Sequence, residues 1–576
     1  MNILAILAIS AIALYAGFKI YGKYIEYIFD IDGSHKTPAV EMENGVDYVP
    51  TKKFVVFGHH FSSIAGGGPI IGPTVAIVFG YLPVWLWIII GAVFMGGVHD
   101  FTSLLASMRE KGKSLSEIAE KTLGKKGFLI FISFTFIMLL MVTAVFLNLT
   151  TTALSSKYPL SFFGEEEKYI HKVIVDGVHY AVIGGIASTS VIIITIFAPL
   201  IGYLLYKKNI NIFTASVIAI TVCLSSIAIG VMYPVVITPT TWMVILSIYT
   251  IFAAGVPVWI VLQPRDFVNS FLLYGGISFM LIGIFVAALN GSVIALPSES
   301  ISFGNEHLGL IWPILFITVA CGAISGFHSL VAGGTTSKQI SKEQPDARIV
   351  GYGGMMLEAL LAVGVIITLG LGLNYSQYLS IVYPSDPALK SNPILAFALA
   401  MGTLLFNGLG IPKLYGAIFG ILMVEGFVVT TLDTAVRLNR YLLEEFWQMI
   451  FKKVPKILNT YLFNSFLCVV LMFLLAYYNA FKELWQLFGS ANQLLAGLAL
   501  LIVAIWLLKR GKKYIFALIP GIFMLLTTIA ALIIVLKDSY LPAMNFPLII
   551  GDVILILLAL GVIYLSVKEY VKTRSA

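Results

Sequence analysis

Apolar runs of about 20 residues, the length a helix needs to cross roughly 30 Å of hydrocarbon, recur from one end of this 576-residue chain to the other. Backbone in lipid must satisfy its own hydrogen bonds, so repeated runs of this length point to an all-α fold class, a polytopic transmembrane bundle in a single membrane domain. A chain that is 59% hydrophobic and 11% charged has too little polar surface for an ordinary soluble domain. Cys223, Cys321 and Cys468 lie inside apolar runs without paired spacing, which argues for packing rather than a disulfide framework or a thiolate zinc site. The first run is followed by Lys19 and Lys23 and has no basic region before it, the pattern of a retained span rather than a cleaved signal.

The runs place about fifteen spans near 3–19, 62–80, 84–107, 128–152, 181–206, 212–233, 240–262, 270–290, 310–334, 350–373, 413–440, 461–479, 485–508, 514–536 and 547–567. With that count, 24 of the 36 Lys and Arg residues fall in connections on one side, 5 more in the segment 19–53 on the same side, and 7 on the other, together with Glu165, Glu166 and Glu167. Lys/Arg excess marks the cytoplasmic face, so the N-terminus is expected outside and the C-terminus inside. The apolar stretch 393–411 would break this rule as a sixteenth span. Its Asn407, Gly408, Gly410 and Pro412 suit an external helical hairpin or a re-entrant piece. The net charge of +7 is accounted for by these loops and calls for no nucleic acid.

Two stretches resist being plain membrane helices. GHHFSSIAGG at 58–67 is echoed by GFHSLVAGG at 326–334, each on a glycine-interrupted span, and seven spans separate them, so the two run in opposite directions. Inverted halves with a broken helix at corresponding positions point to the midplane site of a secondary transporter. Gly66, Gly67 and Gly68, followed by Pro69, would supply one break, and Gly333, Gly334, Thr335 and Thr336 the other. Unwound backbone offers N–H groups to a carboxylate and carbonyls to a cation.

GHHFSSIAGGGPIIGP, GYLPVWLW, GVHDF, QPRDF, CGAISGFHSLVAGGTTSKQ, TTLDTAVRLNR and LFGSANQLLAGLAL, in this order, resemble the signature blocks of the carbon starvation protein A (CstA) family through most of the chain. The resemblance implies a multi-pass transporter of the inner cell membrane, acting in carbon starvation on peptides or on pyruvate taken up with protons. It also implies a LeuT-like five-plus-five inverted repeat. Residues 62–233 would form the first repeat, 240–290 inserted helices, 310–508 the second repeat and 514–567 additional C-terminal helices. Ser62 and Ser63 stand where relatives often carry alanine, and His99 where some carry glutamine.

Charge at membrane depth costs at least about 2.5–3.5 kcal/mol, so each buried ionisable residue invites a role. Asp100, Glu358, Glu425 and Asp433 are candidates to carry a coupling proton; Asp433 has an alternative partner in Arg437, one turn on. By the resemblance, Thr430, Thr431 and Thr434 could offer hydroxyls to sodium. His59, His60, Ser62, Ser63 and His328, with the glycines of both breaks and Thr335, are the candidate substrate-binding set. Asn492 and Gln493 read as interhelical hydrogen bonds, and Arg265 with Asp266 as a gate or loop ion pair at the membrane edge.

The leading expectation is therefore a cation-coupled carrier, a proton symporter before a sodium one, for a small carboxylate such as a peptide or pyruvate, with no catalytic residues and no resident cofactor. The alternative is an intramembrane metalloenzyme that holds zinc or iron with His59, His60, His99, Asp100 and His328. No GxxxxGK[ST] motif supports nucleotide-driven transport, and no filter-like repeat supports a channel. The sequence sets no oligomeric state.

Overall fold

Helices of nearly equal hydropathy take very different places in this bundle. In the computed structural model, Phe481–Leu508 and Ile212–Met232 have mean hydropathies of 2.1 and 2.3, yet they are 94% and 22% buried by the rest of the protein. The inner helix carries Gly489, Ser490, Asn492 and Gln493, small and polar groups that allow close packing and interhelical bonds, whereas the outer one presents Phe213, Val217 and Leu224 outward. The structure describes all residues except 1, 32, 45–47, 164–171, 176, 209, 258, 386–388, 390, 480 and 576. The acidic run Glu165–Glu167 lies outside the described residues.

Among the described residues twelve helices are long and apolar enough to cross a membrane, or thirteen when the bent pair Lys53–Ile64 and Gly68–Phe79 is taken as one span. Asp346–Gly372, Lys413–Ile450 and Phe481–Leu508 form the centre, with Tyr81–Arg109 and Leu115–Leu154 packed on them. Ile3–Ile28, Ile212–Met232, Tyr461–Tyr478 and Phe546–Ser575 lie at the periphery. Thirteen of the fifteen expected spans fall on these twelve helices and the bent pair; 240–262 and 310–334 fall on the 17-residue helix Pro239–Gly255 and on the pair Ile311–Thr318 and Phe327–Gly334, which do not reach that length. Three short strands, Tyr158–Pro159, Lys172–Val175 and Val178–Ala181, form a small antiparallel sheet in the order first, third, second and cap one end of the otherwise helical chain.

Pro393–Leu409 is one continuous helix. Asn407 and Gly408 do not interrupt it, because Gly408 lets it approach the backbone of Gly283, and it ends only at Gly410 in the left-handed region, φ 69°. Asn392, which caps its start, donates to Ser156 Oγ at 3.2 Å. Past its end, the Lys413 ammonium lies 5.4 Å from the Phe162 ring. Residues flanking both ends thus reach the connection 155–182, and the short helix Tyr375–Val382 precedes Pro393–Leu409.

At the opposite end, Glu110 accepts from Lys121 at 2.5 Å, from Trp506 Nε1 at 3.0 Å and from Arg510. Burial alone would raise this carboxyl's pKa, but those donors outweigh it and hold the group below its ordinary value. The contact ties the connection after Tyr81–Arg109 to the turn after Phe481–Leu508.

Candidate functional site

Three consecutive glycines cannot carry a helix through, and Pro69 is tolerated only where its missing N–H is not needed, in a first turn. The first span accordingly stops at Ile64 and restarts at Gly68 with a 41° bend. The second breaks elsewhere than expected. Ile311–Thr318 and Phe327–Gly334 flank an unwound stretch at 319–326, so Gly333 and Gly334 lie inside the second half-helix and Thr335 just past it. The reason is the bonding available to the freed backbone. Thr318 O accepts from Trp485 Nε1 at 3.3 Å, Val319 O from Trp87 Nε1 at 3.2 Å, and Phe316 O from Gln493 Nε2 at 2.7 Å. Asn492 Oδ1 accepts from Phe327 N at 2.9 Å and so caps the second half-helix, while its Nδ2 donates to Ser325 Oγ at 3.0 Å. The N–H expected to capture a carboxylate at this break is already bonded. Asn492→Ala is expected to lower stability by about 1–3 kcal/mol, since buried donors lose their acceptor. Thermal unfolding of the detergent-purified protein checks this; an unchanged transition would show that the break holds itself.

The two breaks touch. A Cβ on Gly68 would collide with Cβ and Sγ of Cys321, and one on Gly66 would sit 2.6 Å from Thr431 Oγ1. These glycines serve close approach of one backbone to the other break and to Lys413–Ile450, rather than lining an open space.

Of the histidine set, the structure brings together His99 and His328 around Asp100, all fully buried. His99 Nδ1 lies 2.7 Å from Asp100 Oδ1 and His328 Nδ1 2.8 Å from Asp100 Oδ2. His328 Nε2 faces Glu358 Oε2 at 3.4 Å. The π-turn at Ala92–Gly96 resets the helix just before His99 and Asp100. His60 stands apart with Nδ1 2.9 Å from Thr336 Oγ1, and half-buried His59 faces a cavity, so the five-residue metal set does not converge. Cys321 joins this cluster instead: its Sγ, a His328 nitrogen and a Glu358 oxygen lie within 4.8 Å of one another. Reading the cysteines as packing residues missed it; its place four residues before Ser325, in the glycine-rich CGAISG, was the only sequence signal.

A second buried cluster holds the other charges. Arg265 Nη1 lies 2.5 Å from Asp433 Oδ2 and donates to Tyr249 Oη at 2.6 Å; Tyr249 in turn donates to Asp433 at 2.9 Å. The local partner expected for Asp433 is otherwise engaged, since Arg437 Nη2 donates to Ala253 O and Val256 O, each at 2.6 Å. Asp266 accepts from Thr430 at 2.9 Å, and Glu425 is buried with Oε1 unpartnered. Thr431 turns back to Phe427 O. Arg265 is 1% exposed, buried in the protein in the first turn of Leu262–Leu289.

A cavity of about 610 Å³ lies between the first broken helix, the second half-helix and Lys413–Ile450. Of the candidate substrate residues, His59, Ser63, Gly334 and Thr335 line it, as do Thr434, Asp266, Lys338 and Arg437. His60, Ser62, Gly66, Gly67, Gly68, His328 and Gly333 are not in its wall. Ser114, Glu117, Gln339 and Gln448, from the basic connections, also line it.

The chain matches the family described as carbon starvation protein CstA over residues 2–387 and 374–531. It is 32% identical to the peptide transporter CstA of Bacillus subtilis (strain 168), across 99% of this chain and 97% of that protein. It is 29% identical to the peptide transporter CstA of Escherichia coli (strain K12), across 92% and 81%. The pyruvate/proton symporter BtsT of the same organism is 28% identical, across 91% and 81%. Among solved structures, that of MhsT in complex with L-phenylalanine is similar at 14% identity with a TM-score of 0.47, covering 90% of this chain and 100% of that one. These relatives are transporters rather than enzymes, and this all-α multi-pass membrane protein is a transporter that belongs to the carbon starvation protein CstA family.

Proposed function

We propose that the chain is a proton-coupled carrier that imports a small carboxylate nutrient, a peptide or pyruvate, across the cell membrane by alternating access. The observation that carries this reading is Asp266: a carboxylate in the cavity wall, bonded to Thr430 and backed by the buried Arg265–Asp433 pair and Glu425. It is reachable from the cavity and coupled to charges that are not, so its protonation changes the charge balance of the helices that must move. Lys338 and Arg437 offer the cavity's positive charge to a substrate carboxylate, with His59, Ser63 and Thr335 beside them. The cavity lining drawn from the basic connections supports a cytoplasm-facing reading, in which the N-terminus is outside and the C-terminus inside. Residues 62–233 and 310–508 would be the inverted halves that rock about the crossed breaks.

Labelled pyruvate uptake into proteoliposomes under an inward proton gradient, with and without sodium and with unlabelled dipeptide as competitor, tests the reading. Proton-driven uptake that dipeptide leaves unchanged assigns pyruvate; uptake blocked by dipeptide assigns peptides. Uptake that follows sodium alone would move coupling to the hydroxyls of Thr430, Thr431 and Thr434, and absence of any gradient-driven uptake of either substrate would overturn the proposal.

A further inference from the structure

The cluster around the second break is left unused by the transport reading. Its three donors come from three separate stretches: Cys321 from the unwound segment, His328 from the second half-helix and Glu358 from the middle of Asp346–Gly372. All three are buried, and neither Glu358 oxygen nor His328 Nε2 has a hydrogen-bond partner. Unpartnered groups of this kind carry a large desolvation cost unless something sits between them. The His328 ring is also held in a particular way. Its Nδ1 lies against Asp100, which also meets His99, so that in the neutral ring with Nδ1 donating to Asp100 the lone pair would be on Nε2, 3.4 Å from Glu358 Oε2. A carboxylate that fixes one imidazole nitrogen so that the other can bind a metal is the usual outer support of a zinc ligand.

One of the three donor separations already has the value such an ion requires, and the other two would have to close to it. With nitrogen and oxygen ligands at about 2.0–2.2 Å and sulfur at about 2.3 Å, tetrahedral ligand atoms sit roughly 3.3–3.6 Å apart. His328 Nε2 and Glu358 Oε2 are already 3.4 Å apart, and all three donor atoms fall within 4.8 Å. A dipositive ion would neutralise one thiolate and one carboxylate that are otherwise costly to bury. A thiolate, an imidazole and a carboxylate together favour a borderline-soft ion over calcium or magnesium. We propose that Cys321, His328 and Glu358 bind a divalent ion of the zinc type, with Asp100 as the positioning residue and the fourth position open.

The full-length protein, purified in detergent and stripped with chelator, is the sample, and Zn²⁺ and Co²⁺ are the probes. One equivalent per chain is expected, and the Co²⁺ form is expected to show a thiolate-to-metal charge-transfer band. Cys321→Ser should remove that band, Cys223→Ser and Cys468→Ser should leave it, and Asp100→Asn should weaken binding by roughly 10–100-fold. Wild-type protein that binds no Co²⁺, or binds it without the thiolate band, would overturn the site whatever the variants do. So would a Cys321→Ser variant of undiminished affinity. The readout is bound metal, so its failure leaves the carrier reading standing, and a carrier that moves neither substrate leaves the metal site intact.

Discussion

Arg265→Leu is expected to destabilise the folded protein by about 3–5 kcal/mol, and the double change Arg265→Leu with Asp433→Leu to recover most of that loss. The reasoning is an asymmetry. Arg265 is 1% exposed and Asp433 equally so, and Tyr249 bridges them. Together they are a compensated pair; without Arg265, Asp433 is a buried charge that keeps the Tyr249 hydrogen bond but loses its ion-pair partner. Replacing both by apolar groups removes the charge and the need for it at once. Thermal unfolding of Arg265→Leu, Asp433→Leu and the double variant in one detergent gives the coupling directly. A double variant as unstable as the single would mean that the pair does more than neutralise itself.

Asp266→Asn is expected to abolish gradient-driven accumulation while leaving exchange of substrate across the membrane. Asparagine keeps the size and the acceptor for Thr430 but cannot take up a proton. With an inward gradient of one pH unit and the membrane potential held at zero, one coupled proton supplies about 1.4 kcal/mol, enough for an accumulation ratio of about 10, and in the variant the ratio should fall to about 1. Counterflow in the same vesicles reports that the variant is folded and still moves substrate. Accumulation that survives the change would remove Asp266 from the coupling path.

The spans were legible because length and hydropathy suffice for them, and the first break because Gly66–Gly68 and Pro69 interrupt a helix by local chemistry alone. The second break was misplaced for the complementary reason. A glycine pair such as Gly333–Gly334 can sit at a helix end without unwinding it. The ends of 319–326 are met by groups on distant elements, whose approach no local pattern reveals: Asn492 accepts from Phe327 N, while Gln493, Trp485 and Trp87 donate to Phe316 O, Thr318 O and Val319 O. Asp433 repeats the lesson. The one-turn rule offers Arg437, but a buried carboxylate takes the cation that the packed helices bring nearest, and that is Arg265. The polar roles read for Asn492 and Gln493 were recoverable because an amide on a buried span has few other uses.

The contact of Gly68 with Cys321 leaves no room for a methyl group, so at that point the two broken helices can neither slide nor part without opening a void. They can only turn. A fulcrum there would make each half-helix a lever: the twelve-residue arm Lys53–Ile64 is roughly 18 Å long, and a turn of about 15° would carry its tip nearly 5 Å. In the alternating-access cycle proposed above, a turn too small to disturb the packed centre would be enlarged at both faces, opening the path on one side as it closes the other.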